Sequence, residues 1–525
     1  MKQPAQQDLD AGAKMLQEGK IRDAQILAQG LVKEFPHSHQ VLAFAADTAS
    51  LGGDRGVAID LISAAVERAP EIALLKLRKA QLEFNDSRRS AALATAHEAA
   101  KGIEDDERQY RALARIMSDC LDLEGARALL LRAHTALPDS LFLLADLAVT
   151  EFHLNMAEEA DAHLAQVLEK QPFHPAGLHL RSQLRTQTGE SNHVTDLTDR
   201  LSQGPDHPNF IAGACYALAK EYEDLGHYPE AFEVLTRGAQ AFRSTLEYDG
   251  TAELAAHADI RSVFTADALP SLSAGNPEEG PIFVIGMPRT GTTLVERMLG
   301  SHSEVTSIGE FTDFPMLLTD QIGRAELAGA TGSVFEKSLK MDFAELGTRY
   351  LAAARELAGD SPRFVDKLPV NFLYVGYILA ALPNARVVHL NRDPLDTCYA
   401  VYKTLFLNAY GFSYDLDELT DYVISYHQQM QHWEAVMPGR IVNVSYESLV
   451  ADPEPEAQRI LEACGLAWEP EVLKFHEQDS PAMSASAMQV RRPFYTESVG
   501  NWQRAGNAFD TVREKLAAAG LVDGG

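Results

Sequence analysis

A period of 34 residues runs through the first third of the chain and narrows what it can fold into. Pro36 and Pro70 are 34 apart, Pro138 and Pro172 are 34 apart, and Pro70 to Pro138 is 68, two periods with the missing member at Glu104. Twelve residues before each of these positions stands an alanine: Ala24, Ala58, Ala92, Ala126 and Ala160. Twelve earlier again stand Gly12, Ala46, Ala80, Ala114 and Ala148. Small residues at two fixed offsets let two helices approach closely in every period, and the proline cannot continue the second helix. The pattern predicts helical pairs over 5–38, 39–72, 73–106, 107–140 and 141–174. Between 175 and 211 the period is poorly kept, with Gly189 and Gly204-Pro205 as breakers. It returns over 212–245 through Ala219, Leu225-Gly226-His227-Tyr228 and Ala231, with the alanine shifted by three.

This spacing resembles the tetratricopeptide (TPR) repeat. The resemblance implies an all-α solenoid over 1–245, with a concave face of the kind that holds peptides or partner proteins. Helical character persists from Leu254 to Phe264, and Gly275-Asn-Pro-Glu-Glu-Gly280 then forms a polar, breaker-rich stretch. The expected boundary lies there, with 246–280 as helical segment and linker and 281–525 as a second domain.

The second half opens on Pro281-Ile-Phe-Val-Ile-Gly-Met-Pro-Arg-Thr-Gly-Thr-Thr-Leu-Val-Glu296. The apolar run Ile282–Ile285 suits a buried parallel strand. Gly286, Pro288 and Gly291 break it, and a helix follows that Thr292 or Thr293 can cap. A strand, a glycine-containing loop and a helix N-terminus together make an anion site, to which Arg289 adds a forked cation. Gly286 and Gly291 have the spacing of a nucleotide-triphosphate P-loop, but Thr292 stands where that motif has lysine. Further apolar strands end in polar clusters: Phe364-Val365 before Asp366-Lys367, Ala385–Leu390 before Asn391-Arg392-Asp393-Pro394, and Arg440–Val444 before Ser445-Tyr446. Helices fill the gaps, so the pattern predicts an α/β, P-loop-like domain with a parallel sheet. Its ligands are expected beyond the C-terminal strand ends.

Pro288-Arg289-Thr290-Gly291-Thr292-Thr293 resembles the 5′-phosphosulfate loop of sulfotransferases that use PAPS (3′-phosphoadenosine 5′-phosphosulfate), and its Pro-Arg form resembles the tyrosylprotein sulfotransferase branch. The resemblance covers about 280–505 and implies transfer of a sulfuryl group from PAPS to a hydroxyl acceptor. All six loop residues then hold the donor nucleotide, and Arg289 neutralises the leaving phosphate. Arg392 resembles the family's 3′-phosphate arginine, although the serine expected eight positions on is Ala400, which leaves Thr397, Tyr402 or Lys403 to compensate. Tyr446 resembles the adenine-contacting tyrosine. The stretch from Gln489 to Trp502 is similar to the late nucleotide loop, in which Arg491 or Arg492 closes over the 3′-phosphate. Lys367 resembles the lysine that aids the transferring sulfate. Glu310, in Ser307-Ile-Gly-Glu-Phe, resembles the general base, with His302 and His389 as rivals. The branch carries two adjacent acids at that point and this chain one.

Net charge of −29 argues against nucleic acid or an anionic membrane surface as partner. Four scattered cysteines, with no C-x-x-C pair, suggest neither a zinc site nor a disulfide framework, and no metal is expected. No apolar leader opens the sequence and no run reaches membrane-spanning length, so the cytoplasm is the expected location. Two alternatives stand beside the transferase: a P-loop kinase or nucleotide-binding protein, against which Thr292 counts, and a TPR scaffold whose transferase domain is inactive, at which Ala400 hints.

Overall fold

The computed structural model describes residues 6–477, 490 and 492–523. They form two compact units, Met1–Glu159 and Ala160–Gly525.

In the first unit the sequence period is the helix period. Second helices begin at Ile21, Arg55, Arg89 and Leu123, and first helices at His39, Ala73, Glu107 and Leu141. Ser38, Asp54, Asp106, Asp122 and Ser140 cap five of them, each side chain accepting a first-turn N–H. The prolines fall two residues beyond the second helices, Pro36 after Glu34 and Pro70 after Arg68. Ala24, Ala46, Ala58, Ala80, Ala92, Ala126 and Ala148 are all 0% exposed, which is why they are small. Gly12 is smaller still because a Cβ there would meet the Phe44 ring at 2.3 Å.

The same phase continues with a helix starting at Ala157, at the end of the first unit, and one starting at Pro175 in the second. The segment read as irregular is therefore a shortened pair, Pro175–Gln183 (9 residues) and Val194–Gln203 (10 residues), separated by an inserted turn. A long pair follows, Pro208–Asp224 and Tyr228–Arg243, then the helix Gly250–Val263.

The sheet has five parallel strands: β1 Pro281–Gly286, β2 Val305–Ser307, β3 Arg363–Asp366, β4 Arg386–Asn391 and β5 Ile441–Ser445, in the order β2-β3-β1-β4-β5. Register pairs Phe283 with Asp366 and with Val387. Both faces are buried. Phe283, Ile285, Phe364 and Val387 face one cluster, and Ile282, Val284, Val365, Val388 and Val444 the other. This explains the unalternating apolar runs.

The compact units do not follow the change of sequence pattern at 246–280. Tyr216, Leu235, Phe242, Ile260 and Phe264 belong to the same core cluster as Phe283 and Ile285. Phe264 packs edge-on against Tyr377 at 4.5 Å and Trp433 at 5.6 Å. The last helical pair and the segment read as linker thus share one core with the sheet. Hydrophobic periodicity reports that a helix has an apolar face, but not which partner covers it.

Candidate active site

The chain passes from β1 outward to β2, back through β3, and then across β1 to β4 and β5. β1 therefore sits at the topological switch point, where parallel sheets open a crevice. Each strand delivers one of the residues singled out in the sequence at or just beyond its C-terminal end: Arg289 after β1, Glu310 after β2, Lys367 after β3, Arg392 after β4 and Tyr446 after β5.

The central loop is tightly built. Thr290 Oγ1 donates to Met287 O at 2.7 Å. Gly291 has φ 102°, and a Cβ there would lie 2.7 Å from Tyr446 Cδ2, so both conformation and space require glycine. Arg289 adopts φ 64°, a left-handed conformation that costs a non-glycine residue about 1 kcal/mol or more. Strain of this kind persists where surrounding structure enforces it, often at functional loops. Burial pulls the Arg289 pKa down to about 10, which leaves it charged at neutral pH. The helix Thr292–Gly300 starts with Gly291 as its cap residue and has no side-chain cap. Thr292 and Thr293 are its first two residues and do not cap it, contrary to the sequence expectation. Its first-turn N–H groups and the threonine hydroxyls belong to the loop itself, the arrangement expected of an anion cradle.

On the β4–β5 side, Arg392 is 8% exposed. Its Nη1 donates to Arg289 O at 3.1 Å and its Nη2 to Ser498 O at 2.5 Å. The guanidinium lies over the Tyr446 ring, 4.7 Å from the centroid. Among the described residues Arg392 Nε has no hydrogen-bond partner, so the group retains donor capacity beside the loop. Tyr446 OH and Ser498 Oγ share a hydrogen bond of 2.6 Å. Asp396 fixes the late segment, accepting from Gly500 N at 2.6 Å and Trp502 N at 3.0 Å. Its distance to Arg392 Nη2 is 3.9 Å, a buried ionic contact. Ala400 is buried, as are Thr397 and Tyr402, while Lys403 is engaged with Glu223. Arg491 lies outside the described residues. Arg492 is exposed, 3.6 Å from Glu497 and 4.5 Å over the Tyr495 ring.

On the β2–β3 side, Lys367 is 1% exposed. Its ammonium bonds Glu310 Oε1 directly and lies 3.6 Å from Glu296 Oε2. Burial opposes its charge, but the two carboxylates outweigh that and leave its pKa raised. The Ser307 hydroxyl donates to Glu296 Oε1 at 2.7 Å. Sequence reasoning missed Glu296. The signal available was an acid beside the buried Val295 and Met298 on the helix that follows the loop. The two histidine rivals are structural. His302 Nε2 meets Ala467 O at 3.0 Å and Nδ1 accepts from Glu304 N. His389 is held within the sheet layer between Asn443 Oδ1 and Tyr426 OH, and burial lowers its pKa to about 4.

Residues 281–470 match the profile of the Sulfotransferase family. The match ends ahead of the late segment from Gln489 to Trp502. An uncharacterized protein of Aquifex aeolicus is 31% identical over 400 residues, 74% of this chain and 52% of the relative. The chain thus spans about half the length of that relative, and the shared stretch is longer than 281–525 can supply. A putative protein-tyrosine sulfotransferase of Caenorhabditis briggsae is 28% identical over 233 residues, 42% of this chain and 80% of the relative. The sulfotransferase domain of a Synechococcus olefin synthase is a more distant solved structure, at 17% identity and TM-score 0.37, covering 48% of this chain and 98% of that one. The chain therefore joins helical repeats to a sulfotransferase-like domain.

Proposed function

We propose that this protein transfers a sulfuryl group from PAPS to a hydroxyl acceptor. The observation that carries this reading is the delivery of Arg289, Glu310, Lys367, Arg392 and Tyr446 by five parallel strand ends to the rim around one phosphate-type loop. The residues present fit such a donor. A buried, strained Arg289 and a helix N-terminus suit the 5′-phosphate. Arg392, with an unfilled Nε and a ring beneath it, suits the 3′-phosphate and adenosine end.

In this reading Glu310 takes the proton as the acceptor oxygen bonds to sulfur. The sulfur–oxygen bond to the nucleotide phosphate breaks, and the electron pair leaves with adenosine 3′,5′-bisphosphate. Arg289 and the helix N-terminus offset the charge growing on that phosphate, and Lys367 offsets charge on the sulfuryl oxygens. Glu296 keeps Lys367 charged and aimed. Relatives described as protein-tyrosine sulfotransferases support a tyrosine hydroxyl of a protein as acceptor, ahead of a carbohydrate or small molecule. The helical repeats serve in this reading as the docking module for that acceptor. Among the described residues no helix is long and apolar enough to cross a membrane. We place the protein in the cytoplasm because its four cysteines are few and scattered.

The test is transfer of labelled sulfate from PAPS to tyrosine-containing acceptor peptides, beside thermal shifts with adenosine 3′,5′-bisphosphate and with ATP–magnesium. A shift by the bisphosphate and none by ATP is expected. Equal shifts would favour the kinase alternative, and nucleotide binding without transfer would favour the inactive scaffold.

A further inference from the structure

Glu223 lies near the end of the helix Pro208–Asp224, in the stretch whose sequence pattern belongs to the repeats. Three side chains of the transferase donate to its carboxylate. Lys403 Nζ reaches both oxygens at 2.7 and 2.9 Å, Arg504 Nη1 approaches to 3.3 Å and Tyr399 OH to 3.3 Å. The carboxylate is largely buried, with 16% of the side chain exposed. Burial works against its charge, but Lys403 and Arg504 more than offset that and hold its pKa below the usual range.

The donors come from two elements. Tyr399 lies in the helix Pro394–Tyr402 and Lys403 directly follows it; the helix begins two residues after Arg392. Arg504 belongs to the segment Asn501–Phe509, which begins three residues after Ser498. Asp396 joins the same two elements near Arg392, through Gly500 N and Trp502 N. They are thus fastened twice, once by a residue of their own and once by Glu223. The repeat hairpin adds further contacts: Tyr216 OH donates to Tyr402 O at 3.2 Å, and Arg504 stacks 4.8 Å over Tyr228. Without the Glu223 charge, Lys403 and Arg504 would face each other as partly buried cations, with the Asp396 bonds and the Tyr399–Phe509 contact left to join their two elements. Their repulsion would spread the helix from the late segment, and with it Arg392 from Ser498 O.

We propose that Glu223 is a positioning residue for the donor nucleotide, bracing from the repeat hairpin the two elements that carry Arg392 and Ser498. The inference rests on the nucleotide reading given above. A second ion pair on the same hairpin supplies the control. Arg243 meets Glu418 at 2.7 and 2.8 Å, fastening the hairpin to the helix Leu416–Val436 but to neither nucleotide element.

Calorimetric titration of the full chain with adenosine 3′,5′-bisphosphate tests this in wild type, E223Q and E418Q, with tryptophan emission as a check on folding. E223Q is expected to weaken Kd about tenfold, the loss of one well-placed contact. E418Q is expected to lower the denaturation midpoint while keeping Kd within about twofold. If E223Q does not fold, Y399F removes one donor and no charge, and a weakening of about threefold is expected. An unchanged Kd in the folded Glu223 variant, or in Y399F, overturns the inference, as does an equal loss in E418Q. A wild type that does not bind the bisphosphate overturns the functional reading itself, and this inference with it.

Discussion

Replacing Lys367 by methionine separates the structural from the chemical part of the site. The ammonium is almost fully buried and lies between two carboxylates of unequal exposure, 11% of the side chain for Glu296 and 44% for Glu310. Methionine is one atom shorter but keeps most of the apolar stem. What is lost is the charge between the two acids. Glu310 reaches solvent, so its share of the pairing is worth at most about 1 kcal/mol. Glu296 stays buried with the Ser307 hydroxyl, and stranding a buried carboxylate typically costs about 3–5 kcal/mol. The expected destabilisation is therefore about 3 kcal/mol, allowing for partial access of water to Glu296. Adding Glu296→Gln removes the stranded charge and should recover about 2 kcal/mol, the rest being an imperfectly satisfied amide. Turnover should fall by about 10²–10³ in the single variant and stay low in the double, since neither has a cation at the reacting group. Urea denaturation followed by tryptophan emission is a clean assay, because all three tryptophans, Trp433, Trp468 and Trp502, lie in the second unit. A loss below about 1 kcal/mol would refute the buried-cluster argument. A double variant that regains turnover would show that Lys367 acts on structure alone.

The remaining expectations are as direct. Glu310→Gln should abolish transfer and leave the Kd for adenosine 3′,5′-bisphosphate nearly unchanged; a variant that still turns over moves the base role elsewhere. Arg289→Ala should lower kcat by about 10²–10³ and weaken nucleotide binding by less, because leaving-group charge grows toward the transition state; an unchanged kcat would make this arginine structural. A chain starting at Gly280 should be insoluble or molten by near-UV circular dichroism, since it strips Phe242 and Phe264 from the core they share with Tyr377 and Trp433; a cooperative unfolding transition would contradict this. Stability should also fall between pH 6.5 and about 4. His389 takes up its proton near 6.5 when unfolded but only at about 4 when folded, so the unfolded chain binds the extra proton throughout that window. The effect is on the order of 2 kcal/mol at pH 5 for this one residue, and urea midpoints of wild type and His389→Gln at pH 7 and pH 5 should differ in slope.

Much of this protein was legible in the sequence. The 34-residue phase fixed where helices begin, because a solenoid repeats its own contacts and must therefore repeat its small residues. Candidate site residues were readable because a parallel sheet sends ligands to strand ends, and each apolar run read in the sequence was followed at once by a polar cluster. Arg289, Lys367, Arg392 and Tyr446 stand in such clusters, whereas Glu310 was singled out by the family resemblance alone, the short strand β2 having gone unread. Three things depended on long-range packing instead. Glu296 joins Lys367 only because the helix after the loop turns that side chain toward the end of β3. Asp396 grips Gly500 and Trp502 across more than a hundred residues of chain. The last repeat pair reads as solenoid but packs one face into the core that it shares with the sheet, with Glu223 bonded to Lys403 and Arg504. A sequence states which side chains want burial or a counter-charge. Which distant surface supplies them is decided only when the elements meet, because the energy of such contacts depends on distances that the order of residues does not contain.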